Sequence, residues 1–297
     1  MTARHVVRRA GDARFPTPEK FVGHSKGFGR WDIVGESDAL HTGFGVCEIT
    51  GEGDVEWHVH SYEVSWYVLE GEVVLETDDG TFLLRPGDYG VLTVGAPHSW
   101  RGAGSGVARW AEMCAPQPRA DRDDTFFHPG RAPSSQRLTV DPRDPRVRSL
   151  GHIDGTNMEV DKQTQRDLAL SASMRTALLV YSGITVKMMV DTDLGADLSS
   201  MFMVQYQPDG KAGAHDHPLE ETYLVLEGEV DATFDGQTYR LGAGDVAWAG
   251  VGCVHEFANP GDGIVRWLET QAPQPPSRHS YRFARDWEYL RELLDRG

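Results

Sequence analysis

Two histidines one residue apart, a glutamate four residues further on and a histidine much later in the chain make a set that could hold a metal ion. The segment His215-Asp216-His217-Pro218-Leu219-Glu220-Glu221 supplies the first three, and His255 is the fourth. Alternate side chains of a strand share a face, so His215 and His217 can grip one cation from one side. Glu221 follows at an even step, past a turn expected at Pro218. His255 comes from a distant strand, after the turn-like run Ala249-Gly250-Val251-Gly252-Cys253. Three imidazoles and one carboxylate suit Fe(II), Mn(II), Ni(II), Cu(II) or Zn(II), and the mixed N/O set does not choose among them. A metal held this way can polarise a carbonyl or enolate, hold dioxygen beside it, or activate water.

The same line is written twice. Shifting the chain by 157 positions lays His58 on His215, His60 on His217, Gly71 on Gly228, Asp88 on Asp245 and His98 on His255. It also lays Arg109 on Arg266, Glu112 on Glu269 and Ala-Pro-Gln-Pro at 115–118 on the same four residues at 272–275. The register runs for some sixty residues without an insertion, which makes a tandem duplication. One difference falls on the chemistry, because Val64 stands where Glu221 stands in the second copy. Glu63 is adjacent, but neighbouring strand residues face opposite ways, so it is expected to point outward. His58, His60 and His98 are then either a decayed site or a neutral three-histidine site. The latter would leave a metal one unit more positive and favour anionic substrates.

The segments that must position these residues read as short strands. Residues 70–94 and 227–250 alternate apolar with polar and break at Asp-Gly, Pro-Gly and Gly-Ala-Gly-Asp turns. Closely spaced strands without interleaved helices indicate an all-β antiparallel sandwich or barrel in each half. Two domains are expected, 1–148 and 149–297, with residues 119–151 a polar connection pinned by Phe126 and Phe127. Residues 21–35 and 178–191 look like leading strands. Only 284–296 has helical spacing, through Trp287, Leu290 and Leu294.

The ordered set His215, His217, Glu221, Gly228, Gly236, Gly242, Gly244, Asp245, Gly252, His255 and Asn259 resembles the two consensus motifs of the cupin superfamily, and the duplication resembles a bicupin. The resemblance covers 60–70 residues per half. It implies two double-stranded β-helix (jelly-roll) barrels. It also implies one divalent transition metal in the C-terminal barrel, on His215, His217, Glu221 and His255, with Fe(II) or Mn(II) the expected ions; a metal at His58, His60 and His98 stays open. The functional analogy is a non-haem dioxygenase acting on a small oxygen-chelating substrate, with Glu221 as ligand and base. Met203, Tyr223, Phe257 and, in the first half, Trp66 are candidate pocket residues. The alternatives are a non-oxidative isomerase, decarboxylase or ureidoglycine aminohydrolase-like C–N hydrolase, or a non-catalytic small-ligand binder. No helix-turn-helix pattern accompanies the barrels, so a cupin regulator of transcription is not expected.

Composition narrows the partners. A net charge of −16 without a basic stripe speaks against nucleic acid. No apolar stretch reaches the ~20 residues that cross a bilayer, and the first residues have no apolar signal core. Cys47, Cys114 and Cys253 are too few and odd in number for a disulfide framework, which points to reduced thiols and a cytoplasmic address. Cys253 lies near His255, but a small strand residue beside a turn is the favoured reading. The recurring Arg109/Glu112 and Arg266/Glu269 are expected in ion pairs. Exposed sheets and the terminal helix suggest a homodimer.

Overall fold

The computed structural model describes residues 4–130, 136–141, 144–147, 149–159, 176–179, 183–274 and 282–283. Among them the regular structure is strand throughout, apart from four short 3-10 turns. The all-β expectation therefore holds; the helix expected at 284–296 lies outside the described residues.

The first half curls around one long strand, Gly43–His60. Its first part pairs with Val107–Ala115, and its last part turns to pair with His98–Gly102. In the second half the matching stretch is split into Ser200–Tyr206 and Lys211–Asp216. Asp209, with φ at 62°, and Gly210 make the break. The second half thus shows two sheets where the first shows one continuous curl. The seven-stranded sheet carries Glu220–Glu227 between Val246–Ala249 and Val265–Ala272. The five-stranded sheet carries His255–Ala258 beside Lys211–Asp216. Ser25–Val34 and Ile184–Val190 are the leading strands foreseen.

Strand pairing crosses residue 148 in both directions. His5–Arg8 pairs with Val246–Ala249 of the second barrel, while Leu150–His152 pairs with Asp88–Leu92 of the first. Each barrel receives an edge strand from the other half. The connection at 119–151 is also more than a tether. Thr125–Phe127 adds to the end of Gly43–His60, and Leu138–Thr139 adds in parallel to Gly80–Leu84.

Buried apolar side chains form three clusters. One fills the first barrel around Trp66, Trp100 and Trp110; one fills the second around Phe202, Tyr223, Phe234 and Trp267. The third lies between them and draws Phe44, Val46, Tyr89, Met189, Met203 and Leu268 from both halves. Two carboxylates fasten this shared layer symmetrically. Glu63 accepts from Asp197 N at 2.7 Å and Ser199 Oγ at 2.5 Å. Its counterpart Glu220 accepts from the backbone N–H of Leu40, His41 and Thr42, each at 2.9 Å. Residue i of one barrel meets j of the other and the reverse, as in a two-fold interface.

The doubled Val-Leu-Glu-Gly-Glu line has a local cause. Gly71 and Gly228 have φ of 68° and 76°. A Cβ there would lie 2.2 Å from Val107 O and 2.4 Å from Ile264 O respectively. Only glycine fits a left-handed turn pressed against the next strand.

Candidate metal centres

Register brings the histidines together. His215 pairs directly with His255 across two strands, as His58 pairs with His98. The ring centroids of His215, His217 and His255 are 4.4 to 5.0 Å apart. Those of His58, His60 and His98 are 4.1 to 5.1 Å apart. Within each group the ligand atoms all lie within 4.8 Å of one another, and all six residues are buried.

The outer nitrogens fix the inner ones. Nδ1 of His215 and His255 faces Gly213 O at 2.6 Å and Cys253 O at 2.9 Å. Nδ1 of His58 and His98 faces Glu56 O at 2.7 Å and Ala96 O at 2.9 Å. A carbonyl accepts only, so each Nδ1 carries the proton and each Nε2 presents a lone pair inward. Burial, then its neighbour His255, holds His215 down to about 3. Burial, then His98, holds His58 down to about 3, and burial brings His98 down to about 4. Neutral imidazoles with convergent lone pairs are what a transition metal requires of its ligands, so both donor sets fit one.

The second barrel adds the carboxylate. Glu221 Oε2 lies 3.0 Å from His217 Nε2 and 3.3 Å from His255 Nε2, inside the cluster as its spacing foretold. Tyr223 donates to the same oxygen at 2.5 Å and lies 3.0 Å from His255 Nε2. The other oxygen accepts from Gln271 Nε2. Burial pushes the Glu221 carboxyl up, yet the close His217 and then His255 imidazoles outweigh it, and the group sits well below the carboxylate range. Glu269, buried and next to that anion, is driven well above it. Glu221 is therefore the charge, while Tyr223 keeps its proton and Glu269 is shifted toward its protonated form beside it.

The first barrel replaces this arrangement as a unit. Val64 pairs with Cys114 where Glu221 pairs with Gln271, and Trp66 pairs with Glu112 where Tyr223 pairs with Glu269. Glu112 is held by Arg30 Nη1 at 2.5 Å and Trp110 Nε1 at 2.7 Å. Phe21 meets His58 edge-on at 5.6 Å, Phe127 lies 5.5 Å away, and Tyr62 stacks on His60 at 4.4 Å. Thr125 Oγ1, from the added strand, lies 3.1 Å from His60 Nδ1.

The other expected residues divide. Phe257 packs 4.7 Å from Tyr223 and 5.8 Å from His255, within the site. Trp66 is in the first barrel's interior, edge-on to Trp100 at 5.6 Å. Met203 is not in the site: its neighbours Phe202 and Val204 face the barrel, so alternation turns Met203 into the layer between the barrels. Glu63 points outward, as parity required. Arg109 pairs with Glu48 at 2.7 Å and Glu70 at 3.0 Å rather than with Glu112, three residues away on the opposite face. Cys253 joins His5 and Asp235, not the histidine cluster. Gln271, Arg30 and Thr125 were missed. The signal for Gln271 was its alternation with Glu269 on a strand that the repeat aligns with Glu112 and Cys114.

A profile described as a cupin domain matches residues 45–114 and again 202–270. The chain is a tandem cupin. Among curated proteins, the HTH-type transcriptional regulator PuuR of Escherichia coli (strain K12) is 34% identical over 92 residues, 31% of this chain and 49% of that protein. Polyketide synthase CurC of Streptomyces cyaneus is 30% identical over 90 residues, 29% of this chain and 58% of that one. The chain thus spans about half the length of the curated relatives it matches. The Lactobacillus farciminis oxalate decarboxylase formate complex superposes with a TM-score of 0.63 at 16% identity, covering 95% of this chain and 89% of the other. Oxalate decarboxylase from Bacillus subtilis gives 0.62 at 15%, covering 98% and 83%. At such identities the likeness shows that both cupin barrels share a fold, and no more. No helix among the described residues is long and apolar enough to cross a membrane.

Proposed function

We propose that this tandem cupin is a metal-dependent enzyme whose chemistry resides in the C-terminal barrel, as a non-haem dioxygenase of a small organic substrate that chelates through oxygen. The observation that carries the reading is Glu221 lodged among three imidazoles whose outer nitrogens are all committed or whose inner nitrogens face it. His215, His217 and His255 would hold the ion through Nε2 and Glu221 through its carboxylate. Bound there, the metal would supply Lewis acidity and a meeting point for substrate and dioxygen.

The protein's own groups have defined tasks. Glu221 supplies one negative charge, leaving room for a neutral or singly ionised chelator. It also stands ready to accept a proton from a substrate hydroxyl. Tyr223 keeps its proton, since burial and then Glu221 push the phenol well up, and it can donate a hydrogen bond to a substrate oxygen. Phe257 and Phe234 form apolar walls near His255, at 5.8 and 6.2 Å, and exclude water. Among the described residues, the groups bonded to Glu221 include no fixed cation, which supports a weakly charged substrate over a small dianion. In the N-terminal barrel the missing carboxylate and the aromatic cover support a packing role with a weak site or none.

Elemental analysis of protein purified without chelator should find a redox metal that His215→Ala removes. An oxygen electrode with β-diketones, catechols, flavonols and gentisate-like acids should record uptake. Turnover under strict anoxia would replace the oxidative reading with the isomerase or decarboxylase class.

A further inference from the structure

We propose that His5, Asp235 and Cys253 form a separate site for a thiophilic divalent ion such as Zn(II), which clasps the N-terminal strand to the C-terminal barrel. Three elements meet there. His5 opens the edge strand His5–Arg8, Asp235 sits at the tip of the hairpin Glu229–Gly242, and Cys253 belongs to the turn before His255. One ligand atom from each lies within 4.8 Å of the other two.

The imidazole is set for the task. Tyr239 OH donates to Gln237 Oε1 at 2.8 Å, so its oxygen is the acceptor for His5 Nε2 at 3.0 Å. Nε2 therefore carries the proton, and Nδ1 is left with a lone pair. Nδ1 is buried and has no hydrogen-bond partner. A buried acceptor facing a thiol and a carboxylate is an unmet demand for a cation, and the chain from Gln237 through Tyr239 orients the ring as outer partners orient metal-bound histidines. Stacking on Phe234, with centroids 5.5 Å apart, holds the ring in place.

The carboxylate has capacity to spare. Asp235 Oδ1 accepts from Arg4 Nη2 at 2.7 Å and Val254 N at 3.1 Å, whereas Oδ2 accepts Arg4 Nε at 3.0 Å; the Cys253 thiol bonds to the same carboxylate, a place its proton vacates on ionisation. One lone pair of Oδ2 remains for an ion, and Arg4 keeps the side chain in place by also donating to Gly252 O at 2.7 Å. On binding, the Cys253 proton passes to solvent; the thiolate joins an Asp235 carboxylate already paired with Arg4, so the divalent ion leaves the cluster with one net positive charge. Asp235 is exposed, so a water can complete the tetrahedron. An N, S, O donor set with an open fourth position suits Zn(II), with Co(II) as its spectroscopic stand-in.

The location gives the clasp a purpose. His5 pairs with Ala249, which pairs in turn with Glu221. An ion at this site would tie the edge strand, the hairpin tip and the turn leading to His255 into one unit.

The test uses the full chain, stripped of metal and titrated with Co(II). Neither histidine triad includes a cysteine, so a near-ultraviolet thiolate-to-cobalt charge-transfer band reports a cysteine-bound ion, and Cys253→Ser assigns it to this site. The band should saturate at the amplitude of one thiolate-bound cobalt per chain, yield to Zn(II), and persist in His215→Ala. It should vanish in Cys253→Ser and require about tenfold more cobalt in His5→Ala. Wild-type protein that saturates with cobalt and shows no such band overturns the proposal, whatever the variants do. So does a band that survives Cys253→Ser, which would place it on Cys47 or Cys114.

Discussion

Gln271 is the sharpest test of how the C-terminal site is built. Its Nε2 donates to Glu221 Oε1, the oxygen turned away from His217 and His255, and Ser200 Oγ donates to its own Oε1 at 3.3 Å. The substitution Gln271→Leu keeps the volume and removes the donor. In metal-free protein Glu221 can take up a proton and turn, which hides part of the loss. With metal bound, Oε2 is committed and Oε1 is stranded in a site that is 1% exposed for Glu221. A hydrogen bond to a charged group is worth about 1.5–3 kcal/mol. At about 1.4 kcal/mol per decade, metal binding should weaken roughly 10- to 150-fold. Calorimetric titration of Mn(II) or Co(II) into chelator-stripped protein measures it, with Ser200→Ala expected to lose less than about threefold because its bond is long. An affinity for Gln271→Leu within about twofold of wild type would refute the claim that this amide orients the carboxylate.

Other expectations follow from the same geometry. Unfolded histidines titrate near 6.5, whereas His58, His98 and His215 are held at about 3, 4 and 3 in the fold. Between those limits the unfolded chain binds more protons, so metal-free protein should lose stability as pH falls from 6.5 toward 4. The slope is up to about 1.4 kcal/mol per pH unit for each histidine; a urea midpoint that stays flat from pH 7 to 5 would contradict the burial of neutral imidazoles. Val64→Glu should destabilise metal-free protein by about 3 kcal/mol, as a carboxylate among apolar side chains, and added Mn(II) should recover part of the loss. Urea unfolding with chelator and with metal separates the two effects. Glu220→Ala strands the N–H groups of Leu40, His41 and Thr42, so unfolding should weaken by about 2–4 kcal/mol and the barrels should begin to melt separately in calorimetry.

What the sequence made legible was what has a local period. His-x-His and the even step to Glu221 survived the turn at Pro218, and parity correctly sent Glu63 outward to Asp197 and Ser199. The repeat made the second triad visible without any coordinate. What stayed hidden depends on pairing between distant strands. Gln271 reaches Glu221 only because register sets them opposite each other fifty residues apart. Nothing local in His5–Arg8 tells which barrel edge it will join, nor in Thr125–Phe127 that it will close over His58 and His60. Met203 was misplaced because it was chosen by residue type, while the alternation of Phe202 and Val204 decided its face.

The contrast between the two barrels follows from cross-strand pairing. Glu221 and Gln271 are ladder partners, so replacing the carboxylate alone would leave a buried amide donor without an acceptor, costing about 1–3 kcal/mol. Replacing both, as Val64 with Cys114, removes demand and supply together and can be nearly neutral. The next rung behaves alike. Burial and the Glu221 anion push the Glu269 carboxyl up, whereas Glu112, facing Trp66 instead of Tyr223, has Arg30 for a counter-ion. Each interior is therefore self-consistent on its own terms. The first barrel pairs its carboxylate internally, so a cation at His58, His60 and His98 would face imidazoles alone. The second sets an anion beside its inward lone pairs, and it is there, on the proposed reading, that removal of metal should lower stability as well as activity.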